Sequence, residues 1–405
     1  MLRRDRLRQP LSRLWPTAGA LLTMFVMGFS VGASLLPGAG SGISDESFAQ
    51  LNAATCTTQP SPGWNDMNGV GARDNAMMAY DSALGEVVLF GGYNGAFLGD
   101  TWTFKGGCWT EYESATATAG QCTLISTGAT VTCPAPSAQG AMGYDPSTPA
   151  LILFPGNIGG TLSQQTWEFT SSGWTQLTCT ATSCPPAQFD LGMATDPLDN
   201  QAMLFDGCTT SSTSCTGSDG ALWAFHAGGW TQLCSGSTAA PACATEPAGR
   251  SSFGFAYDTA DQRVVMFGGV PPGKVGKYDG DTWEVHGSTP GAVSWVQVCT
   301  GSTTAPQCST EPAARGYLLL SDEARDGYAL LFGGYDGSEL ADTWEFKGTT
   351  PGSGWTQCTS CSGPSARDGD GGQHMTYDYA AGDQYALLFG GVSGATYLGD
   401  TWIYN

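Results

Sequence analysis

Residues 329–346 read ALLFGGYDGSELADTWEF, and this stretch decides the fold. It opens on a short unbroken apolar run, which is typical of a strand buried on both faces, and the run ends on two glycines. It closes on DTWEF, in which aromatic and polar residues alternate with the two-residue period of a second strand. The stretch therefore predicts two consecutive strands of an antiparallel sheet.

The same pattern recurs along the chain. The apolar run returns as VVLFGG from Val87, LILFPG from Leu151, AMLFDG from Ala202, VVMFGG from Val264, ALLFGG from Ala329 and ALLFGG from Ala386. The aromatic strand returns from Asp100, Gln165, Ala221, Asp281, Asp342 and Asp400. A pattern that returns every several tens of residues is the signature of a repeat architecture such as a propeller.

Two further elements complete each repeat. An aromatic or small residue followed by Asp precedes each apolar run, at positions 80–81, 144–145, 195–196, 257–258, 321–322 and 377–378. A tryptophan strand follows the aromatic strand in the first five repeats, at Trp109, Trp174, Trp230, Trp295 and Trp355. The sixth repeat lacks this strand because the chain stops at Asn405.

A strand near the N-terminus can supply the missing element. Residues 63–67 (GWNDM) match the tryptophan strand and precede the first repeat. We therefore predict an all-β, six-bladed propeller in which an N-terminal strand around Trp64 pairs with the strand at Trp402. Such pairing closes the ring and removes an exposed sheet edge.

These residues resemble the kelch family over roughly residues 60–405. The resemblance is carried by the double glycine, the Tyr-Asp pair, the spaced tryptophan strand and an upstream arginine, at Arg73, Arg250, Arg315 and Arg367. It implies a six-bladed kelch-type propeller. The second and third repeats depart from the pattern, since Pro155-Gly156 and Asp206-Gly207 replace the double glycine and Gln139 and Gln188 stand near the arginine position.

The first forty residues differ from the rest. Five arginines precede an apolar run over residues 17–36, and small residues before Ala33 suit signal-peptide cleavage. Residues 1–40 are thus predicted to be a signal peptide or, if uncleaved, an N-terminal membrane anchor, because about 20 apolar residues can span a bilayer. Residues 41–59 are read as a linker. Either alternative predicts a secreted or cell-surface protein, and we expect a monomer.

Composition limits the partners. The formal net charge is −21, and only four lysines occur in 405 residues. Because phosphate binding requires a basic face, nucleic acid is excluded as a partner.

Fourteen cysteines in an exported chain predict disulfides. We expect near-neighbour pairs, namely Cys122 with Cys133, Cys179 with Cys184, Cys208 with Cys215, Cys234 with Cys243, Cys299 with Cys308 and Cys358 with Cys361. Cys56 and Cys108 are expected to pair with each other. A redox role for the C-x-x-C at Cys358 is the alternative, but no βαβ pattern surrounds it.

Several conspicuous residues have two readings. The tryptophans suit packing between blades, with sugar stacking as the alternative. The arginines suit loop anchoring by carbonyls or carboxylates, and their convergence near the axis would instead make an anion pocket. Residues 367–371 (RDGDG) hint at a calcium loop, although the complete ligand series is missing. We expect no metal and no cofactor.

The preferred function is a binding module for a protein or glycan ligand. We place its site on the face that carries the loops between second and third strands and those between blades, because variable loops on a regular scaffold concentrate binding residues. The candidate ligand-binding residues are Tyr93, Asn94, Lys274, Lys277, Tyr278, Tyr335, Asp336 and Tyr397, with Arg73 and Arg367 nearer the axis.

The alternative function is a carbohydrate-active enzyme such as a sugar mutarotase or epimerase. The resemblance brings galactose oxidase and the sialic acid mutarotases into view. A copper oxidase of that kind needs histidine ligands, and the chain has only His226, His286 and His374. A mutarotase needs only an acid, a base and a pocket. No catalytic residue is assigned from the sequence, since no catalytic motif stands out.

Overall fold

The structure is a computed structural model that describes residues 48–50 and 69–404, apart from residues 181–182, 211–214, 238–239, 244, 275, 291, 303, 349–353 and 370. In this part of the chain the regular elements are β-strands, and no helix long and apolar enough to cross a membrane occurs among them. Six antiparallel sheets form the blades of a propeller. The predicted fold is therefore confirmed.

The first three blades run in order from the axis outwards. Blade 1 contains β2 (Met77–Asp81), β3 (Glu86–Tyr93), β4 (Phe97–Lys105) and β5 (Cys108–Ala115), extended by β6 (Gln121–Leu124) and β7 (Thr130–Thr132). Blade 2 contains β8 (Ala141–Asp145), β9 (Ala150–Phe154), β12 (Thr166–Thr170) and β13 (Gly173–Leu177), with a small hairpin of β10 (Asn157–Ile158) and β11 (Thr161–Leu162). Blade 3 contains β14 (Gly192–Asp196), β15 (Gln201–Phe205), β16 (Leu222–His226) and β17 (Gly229–Cys234).

The other three blades repeat this plan. Blade 4 contains β18 (Gly254–Asp258), β19 (Arg263–Phe267), β20 (Thr282–His286) and β21 (Ser294–Cys299). Blade 5 contains β22 (Leu319–Glu323), β23 (Tyr328–Phe332), β24 (Thr343–Phe346) and β25 (Trp355–Gln357). Blade 6 contains β26 (Met375–Asp378), β27 (Tyr385–Phe389), β30 (Thr401–Tyr404) and β1 (Phe48–Gln50), with a hairpin of β28 (Val392–Ser393) and β29 (Thr396–Tyr397). The innermost strands β2, β8, β14, β18, β22 and β26 contact one another in a closed ring.

An N-terminal strand does complete blade 6, but not the one that we predicted. The strand β1 pairs antiparallel with β30, and Gln50 lies opposite Trp402. The predicted strand at residues 63–67 lies outside the described residues. The tryptophan pattern misplaced the closing strand, because pairing with an edge strand needs backbone groups and an extended segment, and Phe48–Gln50 offers these without a tryptophan.

The fourth-strand tryptophans join neighbouring blades, as predicted. Four of their indole Nε1 groups donate to a threonine in the third strand of the preceding blade, over 2.9–3.0 Å: Trp109 to Thr401, Trp174 to Thr101, Trp230 to Thr166 and Trp355 to Thr282. The fifth, Trp295, is buried against Phe205 of the preceding blade. Each indole thus contributes both apolar burial and a fixed register between blades.

Four blades carry the same Arg–Asp–Trp group, which we call the staple. In blade 5, Arg315 is 1% exposed and donates to both carboxylate oxygens of Asp342, at 2.6 and 2.9 Å. Its guanidinium also donates to the carbonyls of Gly333 and Ala313, and Trp344 donates to Asp342. Equivalent groups are Arg73–Asp100–Trp102, Arg250–Asp281–Trp283 and Arg367–Asp400–Trp402.

The double glycines have a conformational role. Gly333 has a φ of +63°, and a Cβ there would lie 2.6 Å from the carbonyl oxygen of Arg367 in the next blade. The neighbouring Gly334 N–H donates to that same carbonyl over 2.9 Å. Only glycine combines the positive φ with so close an approach of two blades.

All six near-neighbour disulfides form as predicted: Cys122–Cys133, Cys179–Cys184, Cys208–Cys215, Cys234–Cys243, Cys299–Cys308 and Cys358–Cys361. Cys108 is also disulfide-bonded, and its predicted partner Cys56 lies outside the described residues. Such disulfides are typical of an oxidising compartment. Cleavage or retention of residues 1–40 stays a prediction, since that segment is outside the described part of the chain.

The strand order defines two faces. The loop face carries the connections between second and third strands and between blades, including all six disulfides above. The turn face carries the turns between first and second strands and between third and fourth strands. Near the loop face, a ring of backbone hydrogen bonds runs around the axis, from the N–H of one blade to the carbonyl of the one before: Gln139 to Asn75, Asp190 to Gln139, Ser252 to Asp190, Tyr317 to Ser252 and Gly369 to Tyr317.

Candidate functional site

The innermost strands enclose a cavity of about 560 Å³ on the propeller axis. Its mouth is formed by residues in the turns between first and second strands, including Ser82, Leu198, Thr259 and Tyr379. The cavity therefore opens on the turn face, opposite to the face where we expected the site. A cavity of this size suits a small organic ligand.

A ring of polar side chains surrounds the mouth. Each blade contributes the last-but-one residue of its innermost strand, and these residues are Tyr80, Tyr144, Thr195, Tyr257, Asp322 and, in blade 6, Tyr377. Four of the six side chains are phenols and one is a carboxylate. Among the described residues, the mouth thus combines aromatic surface with one buried carboxyl group.

The position of Asp322 corrects our sequence alignment of the fifth repeat. We read residues 321–322 as the pair equivalent to Tyr257-Asp258. In the structure Glu323 lies opposite Tyr328, as Asp258 lies opposite Arg263, so Glu323 occupies the aspartate position and Asp322 the tyrosine position. The pattern misled because an acid stands at both positions of this repeat.

A second, apolar ring lies two residues earlier along the same strands, deeper in the cavity. Its members are Met78, Met142, Met193, Phe255, Leu320 and Met375. Methionine is flexible and polarisable, so a methionine-rich wall can adapt to ligands of different shape. The lower half of the cavity therefore favours an apolar part of a ligand.

Gln373 lies at the lower end of the cavity. Its side-chain oxygen accepts from the Met142 N–H at 2.5 Å and its amide nitrogen donates to the Met193 carbonyl at 2.6 Å, so blade 6 reaches across to blades 2 and 3. The preceding glycines lie against blades 1 and 3, since a Cβ on Gly372 would lie 2.6 Å from the Cα of Asn75 and a Cβ on Gly371 would overlap Oδ1 of Asp190. We call Gly371–Gln373 the plug.

The plug separates the cavity from a smaller space of about 30 Å³ on its loop-face side. His374 follows the plug and is buried, and burial lowers its pKa to about 4, so the imidazole is neutral at physiological pH. Its Nδ1 lies 2.9 Å from the Phe389 carbonyl oxygen. The hinted calcium loop at residues 367–371 thus leads into the plug, and its Asp370 lies outside the described residues.

Asp322 is held by neutral donors. The carboxylate is 4% exposed, and it accepts hydrogen bonds from the Thr259 N–H at 3.1 Å, the Thr259 hydroxyl and the Tyr379 hydroxyl at 2.6 Å. Burial raises its pKa, and these three donors act in the opposite direction by stabilising the charged form. No ion pair to Asp322 is present among the described residues.

An aromatic wall stands beside this carboxylate. The ring of Tyr379 lies 4.7 Å from that of Tyr377 and 5.4 Å from that of Tyr80, both at inclined angles. Burial raises the pKa of all three phenols, so they remain neutral at physiological pH. Tyr379 is 41% exposed and Leu198 is 55% exposed. Among the described residues, only one other large hydrophobic side chain is as exposed as these two mouth residues.

The turn face is strongly acidic around this mouth. The first-strand ends and their turns (residues 81–86, 145–150, 196–201, 258–263, 322–328 and 378–385) contain twelve acidic and two basic residues. The two basic residues are engaged: Arg325 lies 2.7 Å from Asp326, and Arg263 lies 3.9 Å from Glu284. Lys105 and Lys347, farther from the axis, are paired with Glu86 and Glu345. The cavity mouth therefore lies in a negative electrostatic field.

The residues predicted as a ligand site lie on the loop face in two groups. Tyr93 and Tyr397 make an edge-to-face contact with ring centroids 6.1 Å apart, between blades 1 and 6. Tyr278 and Tyr335 make the same contact at 6.1 Å between blades 4 and 5. The remaining loop residues Asn94, Lys274, Lys277 and Asp336 are exposed. None of these residues lines the axial cavity.

Arg73 and Arg367 belong to staples rather than to an open surface. Both are buried, and each binds a third-strand carboxylate, Asp100 or Asp400, at 2.7–2.8 Å. Asp74 and Asp368, which directly follow the two arginines in the sequence, are not these partners. The geometry favours the anchoring role of the arginines over an anion pocket.

Three groups of acids and cysteines lie close enough to suggest a metal site: Glu113 with Cys122 and Cys133, Glu246 with Cys234 and Cys243, and Glu311 with Cys299 and Cys308. In each group the two cysteines are joined in a disulfide. Thiolates, not disulfide sulfurs, are the metal ligands of cysteine. These groups therefore do not form metal sites in the oxidised protein.

The sequence contained a signal for the cavity that we did not use. The Tyr-Asp pair was read as a mark of the fold alone. Since the strand before each apolar run is innermost, the repeated tyrosine necessarily comes near the axis, where six blades bring six such residues together. The plug, by contrast, had no repeated sequence signal, because Gly371–Gln373 belongs to a local insertion found in one blade.

No family model and no curated protein matches this chain. Solved structures do resemble it. One, described as the structure of YjhT, has a TM-score of 0.42 at 13% identity over 71% of this chain and 84% of that chain. Another, a fungal alcohol oxidase of the AA5 family in complex with copper, has a TM-score of 0.45 at 13% identity over 82% of this chain and 74% of that chain. Membership of the kelch family stays a prediction.

Proposed function

We propose that this protein is a binding module that takes a small organic ligand into its axial cavity from the turn face. The observation that carries the proposal is the cavity of about 560 Å³, closed below by Gln373 and bordered above by tyrosines and one carboxylate. A largely apolar pocket with a few convergent polar groups is the usual form of a small-molecule site. A glycan end or a peptide side chain would enter the same cavity as part of a larger ligand.

Binding is favoured over catalysis by the state of the one acid in the cavity. Asp322 already accepts three hydrogen bonds from Thr259 and Tyr379, which engage three of the about four lone-pair sites of a carboxylate and leave one for a substrate. A general base needs a lone pair directed to the substrate. The alternative, a mutarotase-like enzyme, draws support from the adjacent phenol and carboxyl groups. It predicts that the protein speeds the exchange of sugar anomers, which magnetisation-transfer NMR measures directly.

The proposal is tested with a pair of neighbouring substitutions at the mouth. Ser82 lines the cavity and is exposed, whereas the adjacent Ala83 is exposed but does not line it. A set of soluble sugars, amino acids and ammonium compounds is screened against the domain by saturation-transfer NMR. We expect compounds that bind to be lost in Ser82→Trp, which covers the mouth, and kept in Ala83→Trp. Equal binding to both variants would contradict the proposal.

A second candidate site is the loop face, where we first expected a protein or glycan partner. Its support is the two aromatic pairs, Tyr93–Tyr397 and Tyr278–Tyr335, each formed across a blade boundary. If a partner binds there, the triple variant Tyr93→Ala, Tyr278→Ala, Tyr335→Ala should lose binding on a glycan and protein array while Ser82→Trp keeps it. The opposite result assigns the partner to the cavity.

A further inference from the structure

We propose that the axial cavity selects ligands that carry a positively charged ammonium group, bound against the wall of Tyr80, Tyr377 and Tyr379 beside Asp322. This inference rests on the proposed function of the cavity and specifies the charge of its ligand. Three independent features of the site lead to it: the aromatic surface, the balance of charge and the apolar lower ring.

Three tyrosine rings form an aromatic surface at the mouth of the cavity. Tyr379 contacts both Tyr80 and Tyr377 at inclined angles, so the three rings present more than one orientation to the mouth. The face of a neutral aromatic ring is electron-rich and attracts a cation within about 6 Å, and ammonium groups with methyl substituents are bound in this way by aromatic cages. Because Tyr379 donates its hydroxyl hydrogen to a carboxylate, its ring is the most electron-rich of the three.

The charges around the cavity favour a positively charged ligand. Asp322 is the one charged side chain among the described residues that line the cavity, and its hydrogen-bond partners are neutral. The surrounding turns add eleven more acids, and their two arginines are engaged by other acids. An anionic ligand would meet this field unfavourably, while a cation would be attracted from a distance.

The lower ring distinguishes an organic cation from a metal ion. A calcium or magnesium ion needs six or more oxygen ligands, most of them charged or carbonyl groups. Below the mouth the cavity offers mainly thioether and hydrocarbon groups, from Met78, Met142, Met193 and Met375 among others. These groups suit N-methyl or methylene substituents, which lose little hydration on burial.

The test uses three small probes of the same shape and different charge. Choline is the cation, 3,3-dimethylbutan-1-ol is its neutral isostere and 3,3-dimethylbutanoate is the anion, and glucose is added as a neutral polyol. Dissociation constants are measured by NMR titration of the disulfide-bonded domain at low and high salt. We expect choline to bind about tenfold or more tightly than the neutral isostere, with no detectable binding of the anion.

The outcomes separate this proposal from the proposed function. If the alcohol or glucose binds as tightly as choline, and Ser82→Trp abolishes that binding, the cavity is a binding site and the charge selectivity is wrong. If the anion binds best, the selectivity is likewise wrong. If none of the four probes binds up to about 100 mM, which corresponds to about 1.4 kcal/mol, both proposals fail.

Variants identify the groups that give the selectivity. Asp322→Asn keeps an acceptor for Thr259 and Tyr379 but removes the charge, and we expect it to reduce the preference for choline over the alcohol by about fivefold or more. Asp199→Asn removes an acid of the same face that does not line the cavity and should leave the preference nearly unchanged. Equal effects of the two substitutions would mean that the field of the whole face, and not this site, selects the ligand.

The aromatic contribution has its own pair of variants, which also covers the case in which Asp322→Asn fails to fold. Tyr80→Phe keeps the ring and should keep choline binding within about twofold, whereas Tyr80→Leu removes the ring and should weaken it by about fivefold. Binding of the neutral alcohol should change little in either variant. A loss of choline binding in Tyr80→Phe equal to that in Tyr80→Leu would overturn the role of the ring face.

Discussion

The loop face and the turn face differ in how their charged side chains are partnered. On the loop face, four arginines are buried, and each is satisfied by two carboxylate oxygens and backbone carbonyls. On the turn face, acidic residues surround the cavity mouth, and the few basic residues there form ion pairs with other acids. One face therefore holds the strands of single blades together through paired charge. The other keeps unpaired charge beside an open cavity, which is an arrangement that a ligand, rather than the fold, can complete.

The largest effect is expected from breaking one staple. Arg315→Met removes the guanidinium and leaves Asp342 and the carbonyl of Gly333 without their buried partner. Removing one member of a buried ion pair lowers the free energy of unfolding by about 3–5 kcal/mol. Urea denaturation at pH 7 measures this loss.

The matched control lies on the other face. Arg325→Met breaks a more exposed pair with Asp326 and should lower the free energy of unfolding by no more than about 1 kcal/mol. The contrast between the faces would be refuted if the two substitutions destabilised the protein equally.

A smaller effect is expected from one loop-face disulfide. Replacing Cys299 and Cys308 with alanine opens a loop with a sequence separation of 9, which in the chain-entropy model lowers stability by about 2–3 kcal/mol. The cavity lies at the opposite end of the blades, so choline titration of the folded variant should give an unchanged dissociation constant. A weakened ligand interaction at a temperature well below unfolding would show that the two faces are coupled.

The remaining effect concerns pH and has a different sign on each face. On the turn face, burial raises the pKa of Asp258 and Glu323 to about 7 and that of Asp378 to about 6. Such acids bind protons more readily in the folded than in the unfolded protein, so they reduce stability as pH rises from about 4 to 7. On the loop face, the partner arginines hold the pKa of Asp100, Asp342 and Asp400 below its usual value. The stability that these acids contribute is lost below about pH 4.

The melting temperature should therefore be highest near pH 4–5 and fall by a few degrees towards pH 8. Glu323→Gln should flatten the fall between pH 5 and 8, because it removes one buried acid that titrates there. Differential scanning calorimetry across this range checks both statements. A melting temperature that rises steadily up to pH 8 would mean that the turn-face acids are charged without penalty.

The repeats predicted the blades and the disulfides because these depend on local pattern and short sequence separation. Cys299 and Cys308, for instance, can meet in almost any compact connection between neighbouring strands. The sequence also held the partner of each arginine: Asp precedes the Thr-Trp of the third strand in the four blades with an arginine, while Gln165 and Ala221 stand there in the other two. The sequence analysis named no partner for the arginine, because that partner comes from the third strand of the blade, about 30 residues later in the chain.

The cavity was harder to predict, for a physical reason. Its walls are made of a few residues from each of six strands, so no single repeat contains a recognisable site. Asp322 illustrates the difficulty. Because Glu323 follows it, we aligned this repeat one residue too early and assigned Asp322 to the aspartate position, whereas it occupies the tyrosine position that lines the mouth. The closing strand failed similarly: Phe48–Gln50 pairs through its backbone, and backbone pairing leaves little trace in a sequence.

The ring of hydrogen bonds around the axis also depends on backbone groups rather than on side chains. It uses only N–H and carbonyl groups, and its equivalent positions hold Asn75, Gln139, Asp190, Ser252, Tyr317 and Gly369, six different kinds of residue. Five of them have a positive φ between 53° and 62°, so the requirement is on the main-chain conformation and not on the side chain. These positions are consequently free to change their chemistry while the blades stay joined. A propeller sealed in this way can vary those side chains among residue types that tolerate a positive φ and still remain a propeller, which makes the rim a place where new surfaces can arise without new folds.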